Sequence, residues 1–132
     1  MNKVFLSLPM SGRTDEEIRN DILRMENLYL ETFAKSEEAK DVTKFFENFT
    51  GSKKIYSDEE IEDIKELPHP NLAYLGAAIA IMSVADEVLF AEDWDTARGC
   101  CVEYEVCCAY DIPCWKISRE GKIERMSHER TF

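Results

Sequence analysis

Two periods alternate along the chain, and the places where they change mark the expected elements. Residues 3–9, KVFLSLP, form a short apolar run closed by Pro9 and the turn MSGR, which reads as a buried first strand. Thr14 and Glu17 have the spacing of a capping box, and Asp15, Glu16 and Glu17 load the first turn favourably against the helix dipole. Ile18, Ile22, Met25, Tyr29 and Phe33 then recur at helical spacing, predicting a helix of about five turns. The stretch DVTKFFENF admits a second strand, TGSKKIYS reads as a loop, and Ser57 with Glu60 predicts a short capped helix. From Leu72 the chain turns almost wholly apolar, so the helix there is expected to be buried over most of its circumference. EVLFAEDW reads as a strand, residues 97–113 as a helix ended by Pro113, PCWKIS as a strand, and IERMS as an edge strand or tail. Strands with apolar rather than alternating patterns, separated by helices, predict a parallel sheet covered on both faces. The fold class expected is therefore α/β: a three-layer, flavodoxin-like or Rossmann-like domain with a mostly parallel central sheet, spanning residues 1–132 as one unit.

Charge narrows the partners. A net charge of -11 argues against a nucleic-acid backbone or an anionic membrane, since both favour a basic face. A small anionic ligand stays open, because backbone N–H groups bind phosphate without net positive charge. The chain lacks an apolar run long enough to span a bilayer, and its start is too short in apolar residues for a secretory leader. Of five cysteines, four crowd into residues 100–108, which does not resemble a disulfide framework and favours a reduced, cytoplasmic protein.

The segment ARGCCVEYEVCCAYDIP carries the candidate chemistry. At 100° per residue, Gly99, Cys100, Cys107 and Tyr110 fall within roughly 60° of Glu103, whereas Cys101, Glu105 and Cys108 lie on the other side. With no CxxC spacing and no nearby His, neither a metal site nor a redox motif is indicated, and the cysteines read as small hydrophobes that let the helix pack closely. No cofactor or metal is expected. Glu103 is then a carboxylate on a face of poor solvating power, which raises its pKa. Two other fates remain for it: a rim position with its head in water, or a pair with Arg98 or Arg13.

VFLSLPMSGR, YLGAAIAIMSVADEVLFAEDW and ARGCCVEYEVCCAYDIP, in that order and spacing, resemble the nucleoside 2-deoxyribosyltransferase superfamily, which includes the 2'-deoxynucleoside 5'-phosphate N-hydrolases. The three segments extend over nearly the whole chain, with residues 34–68 unmatched. The resemblance implies that Glu103, ten residues before Pro113, is the nucleophile that attacks the anomeric carbon and expels the base. It also implies that Leu8, Pro9, Met10, Ser11 and Gly12, with Arg13 beyond, form the turn that holds the sugar or its 5'-phosphate. Trp94, Asp95 and Gly99 complete the expected ligand-binding set, Trp94 offering either a flat face to a base or a cap over the strand end. Tyr110, Ser11 or a loop N–H is expected to hold the carboxylate of Glu103.

Two departures qualify that assignment. Ala78 stands eight residues before Asp86, where catalytic members carry Asp, and Ala97 stands six before Glu103, where they carry Asp or Ser. The leading expectation is cleavage or transfer of an N-glycosidic bond of a nucleoside or nucleotide. The alternative is a nucleotide-binding protein, sensing or sequestering its ligand, with catalysis lost. A third is an unrelated small-molecule role on a flavodoxin-like fold. The resemblance and the apolar excess of residues 72–82 both favour a homodimer or higher homo-oligomer.

Overall fold

A computed structural model describes residues 3–33 and 55–128. Strand β1 (Val4–Ser7) leads into helix α1 (Asp15–Phe33); after it come α2 (Asp58–Ile64), α3 (Pro70–Met82), β2 (Glu87–Phe90), a 3-10 turn (Trp94–Thr96), α4 (Arg98–Ala109), β3 (Cys114–Ile117) and β4 (Ile123–Arg125). The possible strand in DVTKFFENF lies outside the described residues. Among the described residues the architecture is α/β, with an open four-stranded sheet in the order β1-β2-β3-β4. β1 pairs with β2, and β2 with β3, in parallel, with Val4 opposite Glu87 and Val88 opposite Cys114. β4 returns antiparallel to β3 through the REGK turn, which makes the sheet mostly parallel but mixed.

Both capping boxes form. Thr14 Oγ1 accepts the Glu17 N–H while Glu17 Oε1 accepts the Thr14 N–H, and Ser57 and Glu60 do the same at α2. The strand period of two then divides the core. Val4, Leu6 and Leu8 point to one face with Leu89 and Ile117, where Met25 and Tyr29 of α1 bury. Phe5 points to the opposite face with Val88, Phe90 and Cys114, against Met82 of α3 and Cys100 and Cys107 of α4. The Tyr29 hydroxyl donates to Glu87 at the start of β2, tying α1 to the sheet. Asp86 accepts the Lys3 N–H at 2.8 Å and fixes the start of the β1–β2 ladder.

Helix α3 departs from its expected burial. Ala77 and Met82 are enclosed, yet Leu72 is 63% exposed, as is Val84 just past the helix at 58%. α3 shares its face of the sheet with α4, and strands of four residues leave room for one edge of each helix.

Candidate active site

Period two also settles the direction of Ser7. It shares the Phe5 side of β1, and it is the polar residue in an otherwise apolar run, 1% exposed. On the facing helix, Glu103 follows Cys100 by three residues and precedes Cys107 by four, so all three lie on the face that meets the sheet. The Ser7 hydroxyl donates to Glu103 Oε1 at 2.7 Å, a buried contact at the carboxyl end of β1. Glu103 is 6% exposed and no Lys or Arg pairs with it among the described residues. Burial pushes its carboxyl up to about 7, partly opposed by the Ser7 hydrogen bond, which favours the anion. Burial pushes the Cys100 thiol, one turn before Glu103, up to about 11, partly opposed by Ser7.

This geometry removes the rim and salt-bridge alternatives for Glu103. Arg98 is exposed, and Arg13 is committed elsewhere: its guanidinium donates to Pro9 O at 3.0 Å and meets Asp21 at 2.8 Å. Tyr110 does not hold the carboxylate either. It lies on the same helical azimuth as Glu103 but past the last turn, where the backbone leaves helical geometry and the ring stands 78% exposed. The partner of Glu103 is Ser7, not Tyr110 or Ser11, and it is the polar interruption of a strand buried along its whole length.

The loop after β1 is tightly turned. Arg13 N–H reaches Met10 O at 3.3 Å, with Gly12 at φ 75, a backbone region that favours glycine. Leu8 is buried, Pro9 half-buried, and Met10, Ser11 and Gly12 are exposed. A Cβ at Gly12 would meet nothing within 4 Å among the described residues, so its glycine answers to the turn rather than to a close neighbour. Gly99 lies in the first turn of α4, which starts at Ala97 without a side-chain cap; a Cβ there would touch Leu75 at an ordinary 3.9 Å.

Trp94 and Asp95 stand at the carboxyl end of β2. The Trp94 ring packs on Phe90 and Tyr104, with centroids 5.4 and 5.1 Å away. Both residues also line an open cavity of about 350 Å³ with Glu92, Lys116–Glu120 and Glu124. Its lining does not include Leu8–Arg13, Gly99 or Glu103. Trp94 thus caps the strand end and borders a cavity at once. Asp95 also accepts the Cys101 thiol at its carbonyl, 3.6 Å away.

The cysteine pairs do not divide as the helical wheel suggests. Cys108 is fully enclosed like Cys107, because α4 is covered around more than half its girth, and Cys101 alone of the four is partly exposed. Among the described residues no group of three or more His, Cys, Asp or Glu side chains is arranged to hold a metal ion. Nor is any described helix long and apolar enough to cross a membrane. No protein-family profile, curated protein or solved structure matches the chain.

Proposed function

We propose that the protein cleaves or transfers the N-glycosidic bond of a nucleoside or nucleotide, with Glu103 as the nucleophile. The observation that carries this reading is the buried Ser7–Glu103 pair at the carboxyl end of β1, the end at which α/β sheets place their ligand crevices. A carboxyl near neutrality is divided between two useful forms. Its anion attacks the anomeric carbon through the oxygen that Ser7 leaves free, while the Ser7 hydroxyl holds the other oxygen and fixes the attack geometry. The base departs as the covalent glycosyl ester forms, and water or a second base then takes the sugar. On this reading the scaffold is a three-layer, flavodoxin-like member of the nucleoside 2-deoxyribosyltransferase superfamily. It works in the cytoplasm as a homo-oligomer, and the turn at Leu8–Arg13 borders the sugar.

A second reading has its own support. Ala78 and Ala97 both pack against the apolar cluster of Phe5 and Phe90, and neither brings a proton donor to the leaving base. A binding protein on the same scaffold, without turnover, fits that composition. Wild type and Glu103→Gln, assayed on deoxynucleosides and their 5'-monophosphates for released base, separate the two. Release by wild type alone supports the enzyme. Equal release by both proteins removes Glu103 from the mechanism, and calorimetric binding without release by either one supports the binding protein.

A further inference from the structure

One row of the sheet carries polar groups on both sides of an aromatic block. In register, Ser7 lies opposite Phe90, Phe90 opposite Lys116, and Lys116 opposite Glu124. Partners in register share a face, so all four side chains stand on the side of Phe5, Cys114 and Met126. With strands ~4.8 Å apart, Lys116 is roughly 10 Å along the sheet from Ser7. Phe90 lies between them, in contact with the rings of Trp94 and Tyr104. Like Ser7, Lys116 interrupts a strand of the kind that parallel sheets keep apolar. Ser7 spends its hydroxyl on Glu103, whereas the half-buried Lys116 closes no ion pair among the described residues.

Lys116 lines the open cavity of about 350 Å³ beside Trp94, at the carboxyl ends of β2 and β3. Ligand crevices of α/β sheets occupy that end, and the volume lies at the low end of their range. The lining is charged with both signs. Arg119 joins Lys116, while Asp95 and Glu124 supply carboxylates, and none of the four closes an ion pair among the described residues. Glu92 differs, because Arg24 forks onto it at 2.6 and 3.2 Å and neutralises it. The hairpin wall is held by its own turn: the Lys122 N–H donates to Ser118 Oγ at 3.1 Å, and the Gly121 N–H to Ser118 O at 2.9 Å. A bare anion would meet the field of a chain with net charge -11, and a bare cation would meet Lys116 and Arg119. A ligand carrying both charges answers both.

We propose that this cavity binds a small zwitterion of the α-amino-acid type. Its oxyanion is held by Lys116 and Arg119, its ammonium by Asp95 and Glu124, and its remaining atoms lie along Trp94. Glu103 does not line the cavity, and the site needs no reaction there.

The full chain, labelled with nitrogen-15, is titrated with each of the twenty common amino acids up to ~10 mM, tenfold beyond a millimolar dissociation constant. At least one should shift the amides of Trp94, Lys116 and Arg119 saturably. Its C-terminal amide and its N-acetyl derivative, each lacking one charge, should bind at least ~tenfold more weakly. Lys116→Met, which keeps the aliphatic stem, and Glu124→Gln should each weaken the zwitterion by a similar factor, while Glu103→Gln should bind it as wild type does. Comparing the three ligand forms on wild type needs no variant to fold. The proposal is overturned by no saturable shift with any amino acid, by amide or acetyl forms that bind equally well, by wild-type affinity in Lys116→Met, or by shifts centred on Ser7 and Glu103.

Discussion

Ser7 and Glu103, 96 residues apart in the chain, meet as hydroxyl donor and carboxylate acceptor at 2.7 Å in the interior. A carboxylate held by one hydroxyl, with no cation paired to it among the described residues, is favoured less than in water, so ionising it costs stability.

Replacing Ser7 by Ala removes the group that favours the anion. The Glu103 midpoint should then rise above about 7, followed by carbon-detected NMR of the labelled side-chain carboxyl. Stability should fall by about 1 kcal/mol where Glu103 is neutral and by about 2–3 kcal/mol where it is charged, the difference between a neutral and a charge-assisted hydrogen bond. A midpoint that moves down would contradict the geometry.

For Glu103 itself the sign of the pH effect follows from its raised folded-state value. Below the unfolded value, 4.5, both states are protonated and the contribution of Glu103 to stability is at its best. As pH rises toward about 7 the unfolded chain ionises first, so stability is lost across that window and levels off above it. At ~1.4 kcal/mol per pH unit the loss is on the order of 3 kcal/mol. Glu103→Gln should match wild type near pH 4.5, exceed it at pH 8, and show a flatter urea-midpoint profile between.

Gly12 tests the turn after β1. With φ at 75 and open space around the missing Cβ, Gly12→Ala meets no neighbour among the described residues and carries only backbone strain, about 1 kcal/mol. Asn, which tolerates this region better, should recover part of it. Urea denaturation of the three proteins gives the ranking, and an Ala variant as stable as wild type would place Gly12 outside that conformation.

Asp111 gives the opposite sign. It follows the end of α4 at φ 54, where glycine is the favoured residue, and its side chain is largely exposed. Asp111→Gly should therefore raise stability by up to ~1 kcal/mol, read as a higher melting temperature. A drop would show that the contact toward His128 outweighs the backbone relief.

Much of this was legible in the sequence because it depended on local spacing. The capping boxes at Thr14 and Ser57, the α1 stripe and the three parallel strands each follow from a few neighbouring residues. Glu103 was legible because its own helical neighbours, Cys100 and Cys107, show a face that cannot solvate it. Its partner was not, since nothing within α4 points to a strand 96 residues away; the signal lay in β1, where a lone Ser in a buried run must find an acceptor. Tyr110 misled because helical azimuth ceases to apply once the helix ends. The exposure of α3 was also hidden, as hydropathy reports what a helix would bury and not how much sheet is there to cover it.

The separation of Ser7 from Glu103 has a meaning during synthesis. At ~5–20 residues per second, the first strand leaves the ribosome roughly 5–20 s before the helix that carries its acceptor. Through that interval Phe5 lacks the α4 side of its packing, and for most of it β1 lacks β2, its ladder partner among the described residues. The nascent chain meanwhile carries an early acidic segment at Asp15–Glu17, and like charge keeps copies on neighbouring ribosomes apart. The acidic first turn that later complements the α1 dipole is thus on the chain before there is a helix for it to stabilise.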